Sequence, residues 1–176
     1  MAIESPFARR LRISAFCLFA LGCGSEAHSG EFETGPLMKP GDDCLRCHSH
    51  GSAYPQAQPW SLAGTVFPRP NAAADEGVPG VRLTVTDDEG NLVTSLTSNS
   101  VGNFYTPVTL PQPFRVALEY EGRSVEMPCP PPAGNCGACH SLPPIGGPLG
   151  RVSIAQGLPE LEGSFNCVQW RREPGQ

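Results

Sequence analysis

The chain is poor in charge, in histidine and in long apolar runs. Only 16% of its 176 residues are charged, and the balance is acidic, a formal −5 at pH 7. A chain of that sign lacks the basic face that phosphate recognition needs, which argues against nucleic acid as a partner. No apolar run reaches the roughly 20 residues that a membrane-spanning helix requires. A mainly helical fold is excluded by an opposite excess. Gly and Pro number 20 each, and in a helix interior they cost about 1 and 3 kcal/mol respectively. There is also no Ser/His/Asp arrangement and no convincing acid–base pair, so no enzymatic substrate chemistry is expected. The length suits one domain, or a small domain with appendages, and an apolar fraction of 39% is enough for a modest core. What the chain has in unusual number is cysteine, 8 in all.

Residues 1–22 read as an export signal. Arg9, Arg10 and Arg12 precede an apolar run from Ile13 to Leu21, and Gly22-Cys23 follows, the basic, apolar and small-residue order of a signal peptide. Ala20-Leu21-Gly22-Cys23 resembles the lipobox of bacterial lipoproteins, except that Ala20 stands where that pattern usually has Leu. The resemblance implies lipidation of Cys23, and with it a periplasmic or membrane-anchored bacterial lipoprotein. An ordinary cleavage between Gly22 and His28 is the alternative. Export bears on every remaining cysteine, because thiols outside the cytoplasm end in disulfides or attached to something. Residues 23–42 are polar and aperiodic and read as a tether.

Two five-residue motifs carry the chemistry: Cys44-Leu45-Arg46-Cys47-His48 and Cys136-Gly137-Ala138-Cys139-His140. Cysteines at i and i+3 lie on one side of a helical turn, where both sulfurs meet the two vinyl groups of one porphyrin. A histidine at i+4 then sits one turn on, under the ring, as a proximal iron ligand. This is the attachment motif of c-type haem, so two haems are expected. A Cys₄ zinc site is a rival, but it gives no reason for His directly after both pairs. A thioredoxin-like redox pair is another, but no βαβ pattern surrounds either motif. For the second axial position the candidates are His50, Met38, Met127 and His28. His50 is too close to His48 to reach the far face of the same ring, although it could reach the other haem. Met127 reads first as a strand residue facing the core, and an open position on one iron stays in play.

Between the motifs the pattern turns to period 2. Val81, Leu83 and Val85 alternate with Arg82, Thr84 and Thr86, and Phe114, Val116, Leu118 and Tyr120 alternate with Arg115, Ala117 and Glu119. Such alternation marks half-buried strands. With turn signals at residues 88–91, 100–103, 111–113 and 121–122, six strands are expected near 61–67, 79–87, 91–98, 103–109, 113–121 and 123–128. The fold class is therefore mainly β, a small antiparallel β-sandwich flanked by two short haem-binding segments. The landmarks Gly64-Thr65-Val66, Gly77-Val78-Pro79-Gly80-Val81, Asp88-Glu89-Gly90 and Gly102-Asn103-Phe104-Tyr105 make residues 61–128 resemble the carboxypeptidase-regulatory-like, transthyretin-like β-sandwich repeat. With Cys44–His48 before it and Cys136–His140 after it, the whole resembles small exported dihaem c-type cytochromes carrying such an insert.

The expected organisation is then a first haem-attachment segment at 43–60, the sandwich at 61–128, a second haem-attachment segment at 129–150 and a tail at 151–176 that docks on the sandwich. An even number of reversing strands returns the chain to the end it started from, which would make the two motifs neighbours. Cys129 and Cys167 are left over, and in an exported protein they would pair. The functional expectation is an electron-transfer protein with redox partner proteins in the cell envelope and a lipid tie to the membrane. The alternatives are a haem-based sensor or small-ligand binder with an open iron position, and a structural module stapled by zinc or disulfides.

Overall fold

The computed structural model describes residues 35–144, 148 and 150–155. The expected export signal, Cys23, His28, Cys167 and most of the tail lie outside that set. Six strands follow one another: β1 (Leu62–Thr65), β2 (Arg82–Asp87), β3 (Leu92–Thr97), β4 (Asn103–Thr106), β5 (Phe114–Tyr120) and β6 (Arg123–Glu126). Helix among the described residues is confined to the two motifs, a 3-10 turn at Cys44–Arg46 and the single turn α1 (Cys136–Cys139). Every strand pairing is antiparallel. β1 and β4 form one sheet, and the order β3-β2-β5-β6 forms the other. The chain is thus mainly β, with six antiparallel strands in two sheets.

The alternation explains why these strands form. In β2, Leu83 and Val85 are fully buried while Arg82 is exposed. In β5, Phe114 and Leu118 are buried while Arg115 and Glu119 face out. The register sets Leu83 opposite Leu118 and Val85 opposite Val116, so both strands turn the same face inward. Leu62 and Phe104, from the other sheet, join Val66, Val81, Leu83, Val85, Phe114 and Leu118 in one core. Each fully buried aliphatic or aromatic side chain there contributes about 1.5–3 kcal/mol.

The strands are shorter than the alternation alone suggests, because the backbone ends them. Gly80, with φ +74°, keeps β2 from starting at Pro79, and Pro107 follows the last residue of β4. Beyond β1 the chain changes partners: the Val66 N–H donates to the Gly102 carbonyl at 2.9 Å, and the Val66 carbonyl accepts from Val78 at 2.8 Å. The β5–β6 hairpin turns on Glu121 and Gly122, at φ 49° and 76°. Positive φ at both central residues is what a tight hairpin demands.

The edge of β1 that does not pair with β4 is covered by the chain after β6. Ala63 bridges Asn135 and Phe67 bridges Ser153, both in parallel. The supporting hydrogen bonds run from Ala63 N–H to the Gly134 carbonyl at 2.9 Å, Phe67 N–H to the Val152 carbonyl at 2.9 Å, and Ile154 N–H to the Phe67 carbonyl at 3.1 Å. The second motif is the excursion between those two bridges. Val152 and Ile154 pack on the core. Cys129 is buried and disulfide-bonded. The other described cysteines, Cys44, Cys47, Cys136 and Cys139, are free thiols, so its partner lies outside the described residues, as does the expected Cys167.

Candidate functional site

Each motif is already one helical turn. The Asp43 carboxylate caps the first, accepting from Arg46 N–H at 3.0 Å, and His48 N–H donates to the Cys44 carbonyl at 3.0 Å. Such a side-chain cap satisfies a backbone N–H that the start of a helical turn leaves unpaired. In the second motif His140 N–H donates to the Cys136 carbonyl at 2.8 Å. A turn closed in this way sets Cys, Cys and His on neighbouring positions of one side.

The histidines share a further arrangement that no pattern in the sequence announces. His48 Nδ1 lies 2.9 Å from the Gln58 carbonyl and His140 Nδ1 lies 3.0 Å from the Gly150 carbonyl, in each case ten residues along the chain. A carbonyl oxygen only accepts, so Nδ1 carries the proton in both rings, and in the neutral form Nε2 keeps its lone pair. Metal-ligating histidines are oriented by this kind of bond. Burial pushes the His140 pKa below its ordinary value, with the Gly150 carbonyl acting the other way. The ring is therefore neutral near pH 7, as ligation requires.

The two motif segments touch. Asn135 Nδ2 donates to Asp43 Oδ1 at 2.6 Å. Gly137 faces the Asp42 carbonyl so closely that a Cβ there would collide with it. A Cβ on Gly64 of β1 would come within 2.8 Å of both the Cys136 Cβ and the Phe104 ring. Glycine at 137 lets the second motif lie against the chain entering the first, and glycine at 64 lets it lie against β1. The chain entering the first motif is held from β1 and β4. Gly41 N–H donates to Thr65 Oγ1 at 2.8 Å, Thr65 Oγ1 donates to Asn103 Oδ1 at 2.7 Å, and Asn103 Nδ2 donates to the Met38 carbonyl at 2.9 Å.

Each motif opens on its own cavity. The first is a cleft of about 460 Å³ reached by Cys44, Cys47 and His48 and walled by Met38, Tyr54, Trp60, Phe104 and Tyr105. That volume is within the roughly 300–1,000 Å³ of ordinary ligand sites. The second is a groove of about 140 Å³ in which Cys136, Cys139 and His140 face Val116, Leu118, Val125 and Met127. It is smaller than the ~300 Å³ at which ligand sites usually begin, so it can wall one face of a porphyrin but not enclose one. Phe104 lines both cavities. Met38 and Met127 each line the cavity of a different motif, whereas His50 is exposed and lines neither.

Two of the four motif thiols sit in surroundings that favour their protonated form. Burial first, then the Asp43 charge, pushes the Cys44 thiol up to about 11. Burial first, then Cys44 and Cys139, pushes Cys136 up to about 12. Among the described residues no three His, Cys, Asp or Glu side chains converge as a metal cluster would require.

Sequence reasoning missed the two carbonyl contacts, and it missed Trp60, whose indole stacks on His48 at 3.6 Å between ring centroids. The available signal was an aromatic residue between the first motif and the first strand. No protein-family model matches the chain, and no curated protein matches it.

Proposed function

We propose that the chain is an exported electron-transfer protein carrying two covalently attached c-type haems. Cys44 and Cys47 would hold one ring by thioethers, with His48 as its proximal ligand, and Cys136, Cys139 and His140 would hold the other. The observation that carries this reading is the matched pair of Nδ1–carbonyl bonds at 2.9 and 3.0 Å, one per motif. They fix tautomer and orientation together, which a structural staple has no need of. When bound, haem supplies a one-electron iron couple. The chain supplies imidazoles oriented by their Nδ1 bonds, thiols in place on a helical turn, aromatic and aliphatic walls, and contact between the two motifs. Among the described residues, Met38 and Met127 are the expected second-ligand candidates that line a cavity, one each. Lipidation at Cys23 would tie the protein to a membrane of the cell envelope, beside its redox partners.

The test is production with the c-type maturation machinery, followed by covalent haem stain and a reduced spectrum. The expected result is an α-band and two haems per chain, falling to one when both cysteines of either motif become Ala. A chain without haem and with bound zinc would overturn the reading. A second reading, an open iron position that takes a small ligand, is favoured only at the first site, by the room in its cleft. Carbon monoxide binding to one reduced haem would support it.

A further inference from the structure

The two motif histidines are held by different means. Both donate from Nδ1 to a backbone carbonyl, but His48 is also covered on a ring face. The indole of Trp60 lies over it with centroids 3.6 Å apart and planes within 6°. Tyr105 of β4 stacks on Trp60 in turn, at 4.2 Å and 13°. The main chain locks the pair further, because Trp60 N–H donates to the His48 carbonyl at 2.8 Å. Rotation about the Cβ–Cγ bond of histidine is normally broad. Here any turn of the His48 ring loses the Gln58 bond and the stack at once. His140 has its bond to Gly150, and among the described residues no ring stacks on it.

Resting on the haem reading above, we infer that Trp60 is the positioning residue of the first site. It fixes the plane in which the His48 imidazole meets the iron, with Tyr105 as its backing, and it makes the two haems electronically unlike. Trp60 and Tyr105 line the same cleft as Cys44, Cys47 and His48, so the stack ends at the ligand. The orientation of an axial imidazole selects which iron orbitals it overlaps. That choice appears in the magnetic anisotropy of ferric haem and in its potential. Aromatic pairs of this kind also gain beyond simple burial, which favours the stacked ring orientation.

The second haem is an internal control. Full-length protein with both haems would be compared with Trp60→Leu, Trp60→Phe and Tyr105→Leu by electron paramagnetic resonance and redox titration, with haem stain and mass verifying two haems in each. Trp60→Leu is expected to shift one set of ferric g values and one midpoint potential and to leave the other set in place. Trp60→Phe, which keeps a stacking ring, should stay near the wild type, and Tyr105→Leu should move the same set by less. If Trp60→Leu leaves both signals unchanged, or moves both alike, the inference is overturned. A readout that needs no haem separates this failure from failure of the haem reading. In the haem-free chain the ring protons of His48 should be shifted upfield by the indole, and the shift should vanish in Trp60→Leu. Its absence in the wild type would overturn the role of Trp60, while a chain that shows it yet takes no haem would overturn only the site's proposed cofactor.

Discussion

Replacing Gly137 by Ala sets two effects against each other and tests the contact between the motifs. Gly137 lies inside α1 (Cys136–Cys139) and is not among the glycines with positive φ. On helix propensity alone the change to Ala is favourable by up to about 1 kcal/mol. The structure gives the opposite sign. A Cβ at 137 runs into the Asp42 carbonyl oxygen and comes within 3.0 Å of the Asp42 carbonyl carbon and 3.2 Å of the Asp43 Cα. All of these are backbone atoms, with no flexible side chain to swing away. Ordinary carbon contacts sit near 3.5–4.0 Å, so the motifs must part by about 0.5–1 Å. Overpacking of that sort costs typically about 1–3 kcal/mol, leaving a net loss of about 1–2 kcal/mol after the propensity gain. For a chain of this size each kcal/mol lowers Tm by roughly 2–4 °C, a shift that thermal melts resolve. The Asn135–Asp43 bond at 2.6 Å should weaken with it, seen as faster hydrogen exchange at the Arg46 amide that Asp43 caps. Equal or higher stability in Gly137→Ala would refute the packing of one motif on the other.

Three further outcomes follow from contacts described above. Asn103→Ala removes the bonds to Thr65 and to the Met38 carbonyl and should cost about 1–3 kcal/mol in urea unfolding, with faster exchange at the Gly41 amide; an unchanged midpoint would contradict the network. Asp87 is held below its ordinary pKa first by the Asn91 side-chain amide and then by backbone N–H groups. Because the folded value is the lower one, its contribution is present above the unfolded value and is lost as pH falls through the folded value. The acid limb of a Tm–pH profile should accordingly flatten in Asp87→Asn, and superimposable limbs would count against it. Peptide mapping without reductant should recover Cys129 linked to Cys167, with reduction costing about 2–4 kcal/mol; a Cys129 linked elsewhere would discard that pairing.

Some of this was legible in the sequence. Val81, Leu83 and Val85 and the Phe114–Leu118 pair show their period because one face of each strand is buried and the other is wet. β3 carries no such pattern, with Leu92 exposed at its start, and it was found from the turns around it. Residues Gly102-Asn103-Phe104-Tyr105 stood out as a turn and strand start and as a landmark of the β-sandwich repeat they resemble, yet each has a separate physical task. Gly102 passes the Val66 carbonyl, Asn103 holds the chain ahead of the first motif, Phe104 fills the core and Tyr105 backs Trp60. The motifs were readable because their spacing is chemistry. Their contact was not, since it depends on a parallel run beside β1 from residues 134–135, more than 70 positions away. The carbonyls of Gln58 and Gly150 were equally hidden, because every residue but proline offers the same backbone groups and no side chain marks the ones that are used.

The run of residues 134–135 and 152–154 along β1 has a bearing on maturation and solubility. An uncovered strand edge offers a row of N–H and C=O groups to any other chain and is a common start of aggregation. Here the cover is the sequence that brackets the second Cys-x-x-Cys-His. Guarding the molecule against self-association and bringing its two Cys-x-x-Cys-His motifs together are therefore one event. A chain cut short after Met127 would keep both sheets' strands but leave β1 open to a neighbour, and a chain whose second motif fails to seat would carry the same hazard.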